Sequence, residues 1–68
     1  MDDDERQDLI GRLFALITSK FEDGAGLAVD GQSRERSIET KAELAGDLQA
    51  LATELTVLCE AGIAICAG

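Results

Sequence analysis

The feature that most constrains this fold is a stripe of apolar residues in the second half of the chain. Between Leu44 and Ile65 its members are separated by 4, 3, 4, 3, 4 and 3 positions. An α-helix turns once in about 3.6 residues, so residues with this spacing share one narrow stripe, whereas a strand would need alternation with a period of two. The pattern predicts a helix of about residues 41–66 with a heptad seam. The seam consists of Leu44, Leu48, Leu51, Leu55, Leu58, Gly62 and Ile65.

A related stripe near the N-terminus predicts a first helix of about residues 6–29. Gly24 and Gly26 each lower helix propensity by about 1 kcal/mol relative to alanine, so one interpretation ends this helix near Asp23. We favour continuation to about Val29, because apolar residues follow the glycines and an Asp-Gly turn signal comes only after them. The expected seam residues of this helix are Ile10, Phe14, Ile17, Phe21, Gly24 and Ala28.

The polar segment of about residues 30–39 is the expected connection between the helices. Thr40 and Glu43 match the S/T-x-x-E capping box directly before the second stripe, and Ser37 is a competing N-cap. A connection of this length lets the helices run antiparallel. The predicted fold class is therefore all-α, with residues 1–68 forming a single antiparallel helical hairpin.

Aligning the two stripes also predicts a register for the hairpin. Ile10 is placed opposite Gly62, and Gly24 opposite Leu48, so that the residue numbers of each pair add to 72 (10 and 62, 24 and 48). In this register a glycine or alanine opposes a large residue in several layers, which favours close helix packing.

The apolar residues beside the two stripes are too numerous for two helices to cover. Burying a large apolar side chain contributes roughly 1.5–3 kcal/mol, and so short a chain is marginally stable alone. We therefore expect a homodimer, in which two hairpins form a four-helix bundle. A third helix supplied by another protein is the competing interpretation. The expected oligomer interface consists of Leu9, Leu13, Leu16, Leu27, Ala45, Ala52, Cys59 and Ile63.

The charge of the chain disfavours two classes of partner. Fourteen acidic residues against 6 basic ones give a net charge of −8, which opposes binding to nucleic acid or to anionic membrane surfaces. The N-terminus lacks the pattern of a signal peptide, and the apolar stretch 61–68 is too short to span a bilayer. The sequence thus predicts a cytoplasmic protein with neither a nucleic-acid nor a membrane partner.

The residue types needed for most catalytic and metal sites are scarce. The chain has no histidine and only two cysteines, which excludes Ser-His-Asp and Cys-His arrangements and disfavours a conventional zinc site. Cys59 and Cys66 are roughly 10 Å apart along a helix, too far for a disulfide within the chain. Free thiols are expected, with an intermolecular bridge through Cys66 as the alternative. We expect no enzyme, no cofactor and no metal.

These observations predict a small non-catalytic, self-associating helical protein that serves as a protein–protein interaction module and presents an acidic surface to a protein partner. The alternative is an acidic regulatory binder, such as an antitoxin, an anti-activator or a nucleic-acid mimic, that occupies a basic site on another protein. Alanine- and leucine-rich helical hairpins are too generic in sequence to indicate a family.

Overall fold

A computed structural model describes residues 2–68 and shows two antiparallel α-helices joined by a short connection. Helix α1 is Asp3–Gly31 and helix α2 is Ile38–Ala67. No strand occurs among the described residues. The prediction of an all-α helical hairpin is confirmed, whereas association of hairpins into a bundle stays a prediction.

Helix α1 is longer than predicted at both ends. It passes through Gly24 and Gly26 without interruption, as the favoured interpretation expected, and ends at Gly31. Its start is capped by Asp2, whose Oδ1 accepts a hydrogen bond of 2.8 Å from the backbone N–H of Glu5. Acidic residues fill the first turn, where the helix dipole favours negative charge. The cap and this charge explain why the helix begins three residues earlier than the apolar pattern indicated.

Helix α2 is capped by Ser37, the competing candidate, and not by Thr40. The Ser37 Oγ accepts a hydrogen bond of 3.1 Å from the Thr40 N–H and donates one of 3.0 Å to the Thr40 Oγ1. The helix therefore begins at Ile38, and the connection shortens to residues 32–37. Arg36 stabilises this connection, because its guanidinium contacts the Asp30 carboxylate at 2.9 Å.

The two cap candidates make a direct test possible. Replacing Ser37 with alanine (Ser37→Ala) should lower the free energy of unfolding by about 1 kcal/mol, since a backbone donor at the helix start loses its acceptor. Thr40→Ala should change it much less, because the Thr40 N–H keeps its bond to Ser37. Urea denaturation of both variants at one protein concentration measures the difference. A larger loss for Thr40→Ala would show that the capping box controls this helix start.

The seam of α2 is confirmed, but that of α1 is different from the prediction. All seven predicted α2 residues are at least partly shielded, and Gly62 is the one fully buried residue among residues 2–68. On α1, Phe14 and Phe21 point outward with 56% and 61% of their surface exposed, and Ala28 is exposed as well. The partly shielded residues that line the α1 side of the seam are Ile10, Leu13, Ile17, Lys20, Gly24 and Leu27.

The register also differs from the prediction, by about one helical turn. A Cβ placed on Gly62 would lie 3.2 Å from the Leu13 Cδ2. One placed on Gly24 would lie 3.1 Å from the Leu51 Cδ2 and 3.8 Å from the Cδ2 of Leu48, its predicted partner. The residue numbers of these pairs add to 75 (13 and 62, 24 and 51) rather than 72. Leucine thus packs over glycine from either helix. This arrangement lets the helices approach closely, while the bulky phenylalanine rings stay outside the contact.

The hairpin has almost no interior. No apolar side chain is fully buried among residues 2–68, and the outermost Cα atoms span 52 × 15 × 10 Å. A layer only one helix thick cannot enclose a core, because each helix has a neighbour on one side only. The fold therefore leaves two broad sides, each built from both helices, open to contact.

Candidate interaction surface

On one broad side of the hairpin, the positions beside the seam carry no charged residue between residues 7 and 66. We call it the uncharged face. Its residues are exposed and occupy positions beside the seam on both helices. They are Gln7, Phe14, Phe21, Ala25 and Ala28 of α1, and Ala45, Ala52, Cys59, Ile63 and Cys66 of α2. The next residues on the same side, Gly11, Thr18, Ala42, Gln49 and Thr56, are uncharged too.

Helical periodicity explains how a chain with 20 charged residues, 14 acidic and 6 basic, keeps this side free of charge. Residues seven apart return to nearly the same direction on a helix. Phe14, Phe21 and Ala28 form one such row, and Ala52 and Cys59 belong to the matching row of α2. The carboxylates fall on the remaining positions, at the narrow edges and on the opposite broad side.

The uncharged face has both projections and grooves. One groove of about 390 Å³ lies between the helices and is lined by Phe21, Gly24, Ala25, Leu51 and Ala52, among others, and also by Lys20 of the seam. A second, of about 560 Å³, is lined by Phe14, Phe21, Cys59, Gly62 and Ile63, among others. Phe21 borders both grooves. Small residues on the groove walls thus alternate with exposed aromatic rings along one surface.

The opposite broad side, which we call the ion-paired face, is different in chemistry. It contains Leu16, Lys20, Thr53, Glu54 and Val57. It also contains Leu9, which lies two helical turns before Leu16 and so in nearly the same direction. The Lys20 Nζ lies 2.8 Å from a Glu54 carboxylate oxygen. The ion pair separates the apolar side chains of Leu16 and Val57. These two side chains and the ion pair line a groove of about 320 Å³. A partner that covered this face would have to cover an ion pair as well, which costs desolvation.

The ion pair shifts the pKa of Lys20. A hydrogen bond to Glu54, together with the negative charges of Glu54 and Asp23, holds the pKa of Lys20 above its ordinary value of 10.5. Partial desolvation opposes this shift. Because the folded protein holds this proton more tightly, the pair stabilises the hairpin below the ordinary pKa, and that contribution is lost as the pH rises through the folded-state value.

The raised pKa of Lys20 predicts how the contribution of the ion pair to stability depends on pH. Lys20→Met should lower the melting temperature at neutral pH, because Glu54 loses its partner. The difference from the unsubstituted protein should shrink as the pH rises above the ordinary lysine pKa of 10.5 and through the higher folded-state value, because the lysine then loses its charge in both states. Thermal melting followed by circular dichroism measures both curves. A gap that stayed constant as the pH rose through the titration range of the lysine would mean that the Lys20 stem, and not its charge, stabilises the fold.

The eight residues predicted to form one oligomer interface are divided by the structure into three groups. Leu13 and Leu27 are partly shielded and belong to the seam between the helices, which contradicts their placement beside it. Leu9 and Leu16 lie on the ion-paired face. Ala45, Ala52, Cys59 and Ile63 lie on the uncharged face. A single contact surface therefore cannot contain all eight.

Phe14 and Phe21 are the candidate interface residues that the sequence analysis missed. They were assigned to the seam, because phenylalanine at seam spacing usually marks a core position. The distribution of charge could have identified them: rows beside the seam on both helices are uncharged along nearly their whole length.

Within residues 2–68, Cys59 and Cys66 are not joined to each other, and both are exposed. No group of three potential metal ligands is brought together within this part of the chain.

Helix α2 has a further property that the sequence analysis did not anticipate. By length and composition alone it is apolar enough to cross a membrane, with a mean hydropathy of 1.7 over its most apolar window, of which 6% is buried. The C-terminal part of this helix contains two carboxylates, Glu54 and Glu60. The core helices of soluble proteins that share this composition are mostly buried, whereas α2 is largely uncovered in the single hairpin.

Comparison of the chain with models of protein families, with curated proteins and with solved structures found no match.

Proposed function

We propose that this chain is a small non-catalytic interaction protein that works as a homodimer of hairpins in the cytoplasm. The observation that carries the proposal is the absence of a buried apolar side chain in residues 2–68. Eight large apolar residues are exposed there instead: Leu9, Phe14, Leu16, Phe21, Val29, Ile38, Val57 and Ile63.

The energetic argument rests on the size of that exposed surface. Burial of a large apolar side chain stabilises a protein by roughly 1.5–3 kcal/mol. Covering only three or four of these residues therefore contributes an amount comparable with the whole stability of a small domain, about 5–15 kcal/mol. A second copy supplies the required apolar surface without any other component, and two-fold pairing of hairpins yields a four-helix bundle with an enclosed core.

The dimer presents an acidic exterior to its surroundings. Most charged residues are carboxylates, and the net charge of −8 per chain favours a basic protein surface as partner and opposes nucleic acid. The same exterior supports the second candidate function, an acidic regulatory binder that occupies a basic site. The two candidates differ in the state of the free protein, which is an ordered dimer in the first and a loosely ordered monomer in the second.

A membrane-spanning role for α2 is less favourable than self-association. A charged side chain near the bilayer centre costs about 2.5–3.5 kcal/mol on insertion scales, and α2 would bring Glu54 into this environment without Lys20. Flotation with phosphatidylcholine vesicles tests this point directly. We expect the protein to stay with the soluble fraction, and co-flotation would contradict the proposal.

The experiment that tests the proposed function is sedimentation equilibrium combined with thermal melting over a hundred-fold or so range of protein concentration. A homodimer should show twice the chain mass and a melting temperature that rises with concentration, because association stabilises only the folded state. A well-folded monomer whose melting temperature is independent of concentration would overturn the proposal. A poorly helical monomer would favour the acidic binder instead.

A further inference from the structure

We infer that the uncharged face is the surface through which two copies of this chain associate, and that the ion-paired face stays on the outside of the dimer. This inference deepens the proposed function and rests on it. It commits to a second copy of the hairpin as the occupant of the uncharged face, on three independent grounds.

The first ground is electrostatic. Each chain carries a net charge of −8, so two copies repel one another over most of their surfaces. Charges buried in an interface without partners are strongly unfavourable. The uncharged face is the one broad side on which two acidic copies meet without bringing carboxylates together. Contact through the ion-paired face would instead bring Lys20 and Glu54 into the interface, where both charges would have to be desolvated.

The second ground is area. The hairpin spans 52 Å by 15 Å across a broad side, which corresponds to about 780 Å² (52 Å times 15 Å). A stable protein–protein interface buries roughly 800 Å² on each partner. One broad side therefore matches the area that a specific dimer needs, whereas a narrow edge, 10 Å deep, does not.

The third ground is self-complementarity of shape. In a two-fold dimer the same patch serves both copies, so it must contain both the projecting and the receiving parts. Phe14 and Phe21 project from the uncharged face with 56% and 61% exposure. The grooves beside them are lined by small residues such as Ala25, Ala52 and Cys59. Aromatic rings of one copy can thus enter the grooves of the other, as anchors in interfaces do.

The test uses two substitutions in α2 that add the same carboxylate to different sides of the helix. Ala52 and Ala50 are both exposed residues of α2, but they are about 200° apart around the helix. Ala52→Glu adds a carboxylate to the uncharged face, and Ala50→Glu adds one to the charged surface near Asp47 and Glu54. Ala50→Glu is the control variant, and its added carboxylate is repelled by its own helix more strongly than that of Ala52→Glu. A larger effect of Ala52→Glu on the dimer therefore reports on association.

We expect Ala52→Glu to raise the dissociation constant of the dimer on the order of 100-fold or more, because each dimer would enclose two added carboxylates. Ala50→Glu and Leu16→Glu should leave it within a few-fold of the unsubstituted value. Sedimentation equilibrium measures all three constants. Dissociation by Leu16→Glu or Ala50→Glu with retention of the Ala52→Glu dimer would overturn the inference and leave the proposed function standing. A dimer that resists all three changes would overturn it too. An unsubstituted protein that is monomeric at every concentration would overturn both.

A second measurement avoids disruptive variants altogether. Cys59 lies on the uncharged face and is exposed in the single hairpin. In a Cys66→Ser background, its rate of alkylation by iodoacetamide should fall at least several-fold as the concentration rises from the monomeric to the dimeric range. The rate should follow the dimer fraction from sedimentation, because a covered thiol reacts only after dissociation. A rate that stays constant while the mass doubles would show that the dimer leaves this face open.

Discussion

Gly62→Leu should destabilise the hairpin more than any other single glycine replacement in α2. Gly62 is the one fully buried residue of the described chain, and a Cβ there would already lie 3.2 Å from the Leu13 Cδ2. A full leucine side chain must therefore push the helices apart or displace Leu13. Overpacking of this kind typically costs about 1–3 kcal/mol.

Gly46→Leu is the matched control for this prediction. Gly46 is in the same helix and is exposed, and nothing lies within 4 Å of a Cβ placed on it. Both substitutions gain the same helix propensity, about 1 kcal/mol, so this term cancels when they are compared. We expect Gly46→Leu to raise the melting temperature and Gly62→Leu to lower it, at equal protein concentration. For a domain of this size, each 1 kcal/mol corresponds to roughly 4–8 °C. Equal melting temperatures would mean that Gly62 is not a site of close helix approach.

Leu13→Glu should strongly reduce the helical structure of the hairpin itself. Leu13 packs over Gly62 in the seam, so the substitution removes part of the roughly 1.5–3 kcal/mol that burial of a leucine contributes, and it brings a carboxylate into the contact. A stability of about 0.05–0.15 kcal/mol per residue leaves a short chain little reserve. The helical signal in circular dichroism at 25 °C and the urea midpoint should both fall.

Leu16→Glu serves as the control, because Leu16 is 45% exposed on the ion-paired face. The new carboxylate would lie one turn before Lys20, an arrangement that mildly stabilises a helix. We therefore expect near-normal helicity and a small change in the urea midpoint. Comparable losses in both variants would contradict the seam described here and would favour the alternative stripe that contains Phe14.

Two alternative stripes on α1 satisfy helical spacing, so the apolar pattern alone does not decide which of them faces α2. Ile10, Ile17 and Gly24 belong to both stripes. The remaining seam positions can be filled either by Leu13, Lys20 and Leu27 or by Phe14, Phe21 and Ala28, and both sets obey helical spacing. The phenylalanine set is the more apolar, so the pattern favoured it. The structure has the other set, in which leucine packs over glycine and the Lys20 ammonium reaches Glu54 at the rim.

The placement of the predicted interface residues depended on that choice, and the interface itself stays a prediction. In the structure α1 is rotated about its axis relative to the prediction. Leu13 and Leu27 therefore lie in the seam, and both phenylalanines lie at the surface. The four predicted residues of α2 lie beside the seam, as predicted, because the α2 stripe has no competing alternative. They are Ala45, Ala52, Cys59 and Ile63.

The sequence by itself determined the helical class, the two-helix division, the seam of α2 and the continuation of α1 through its glycines, because these depend on spacing and local propensity along one chain. Only the tertiary structure decided the rotation of α1, the register and the composition of the two broad sides. These depend on how closely two surfaces approach, and that distance is controlled by the layers in which a leucine of one helix meets a glycine of the other.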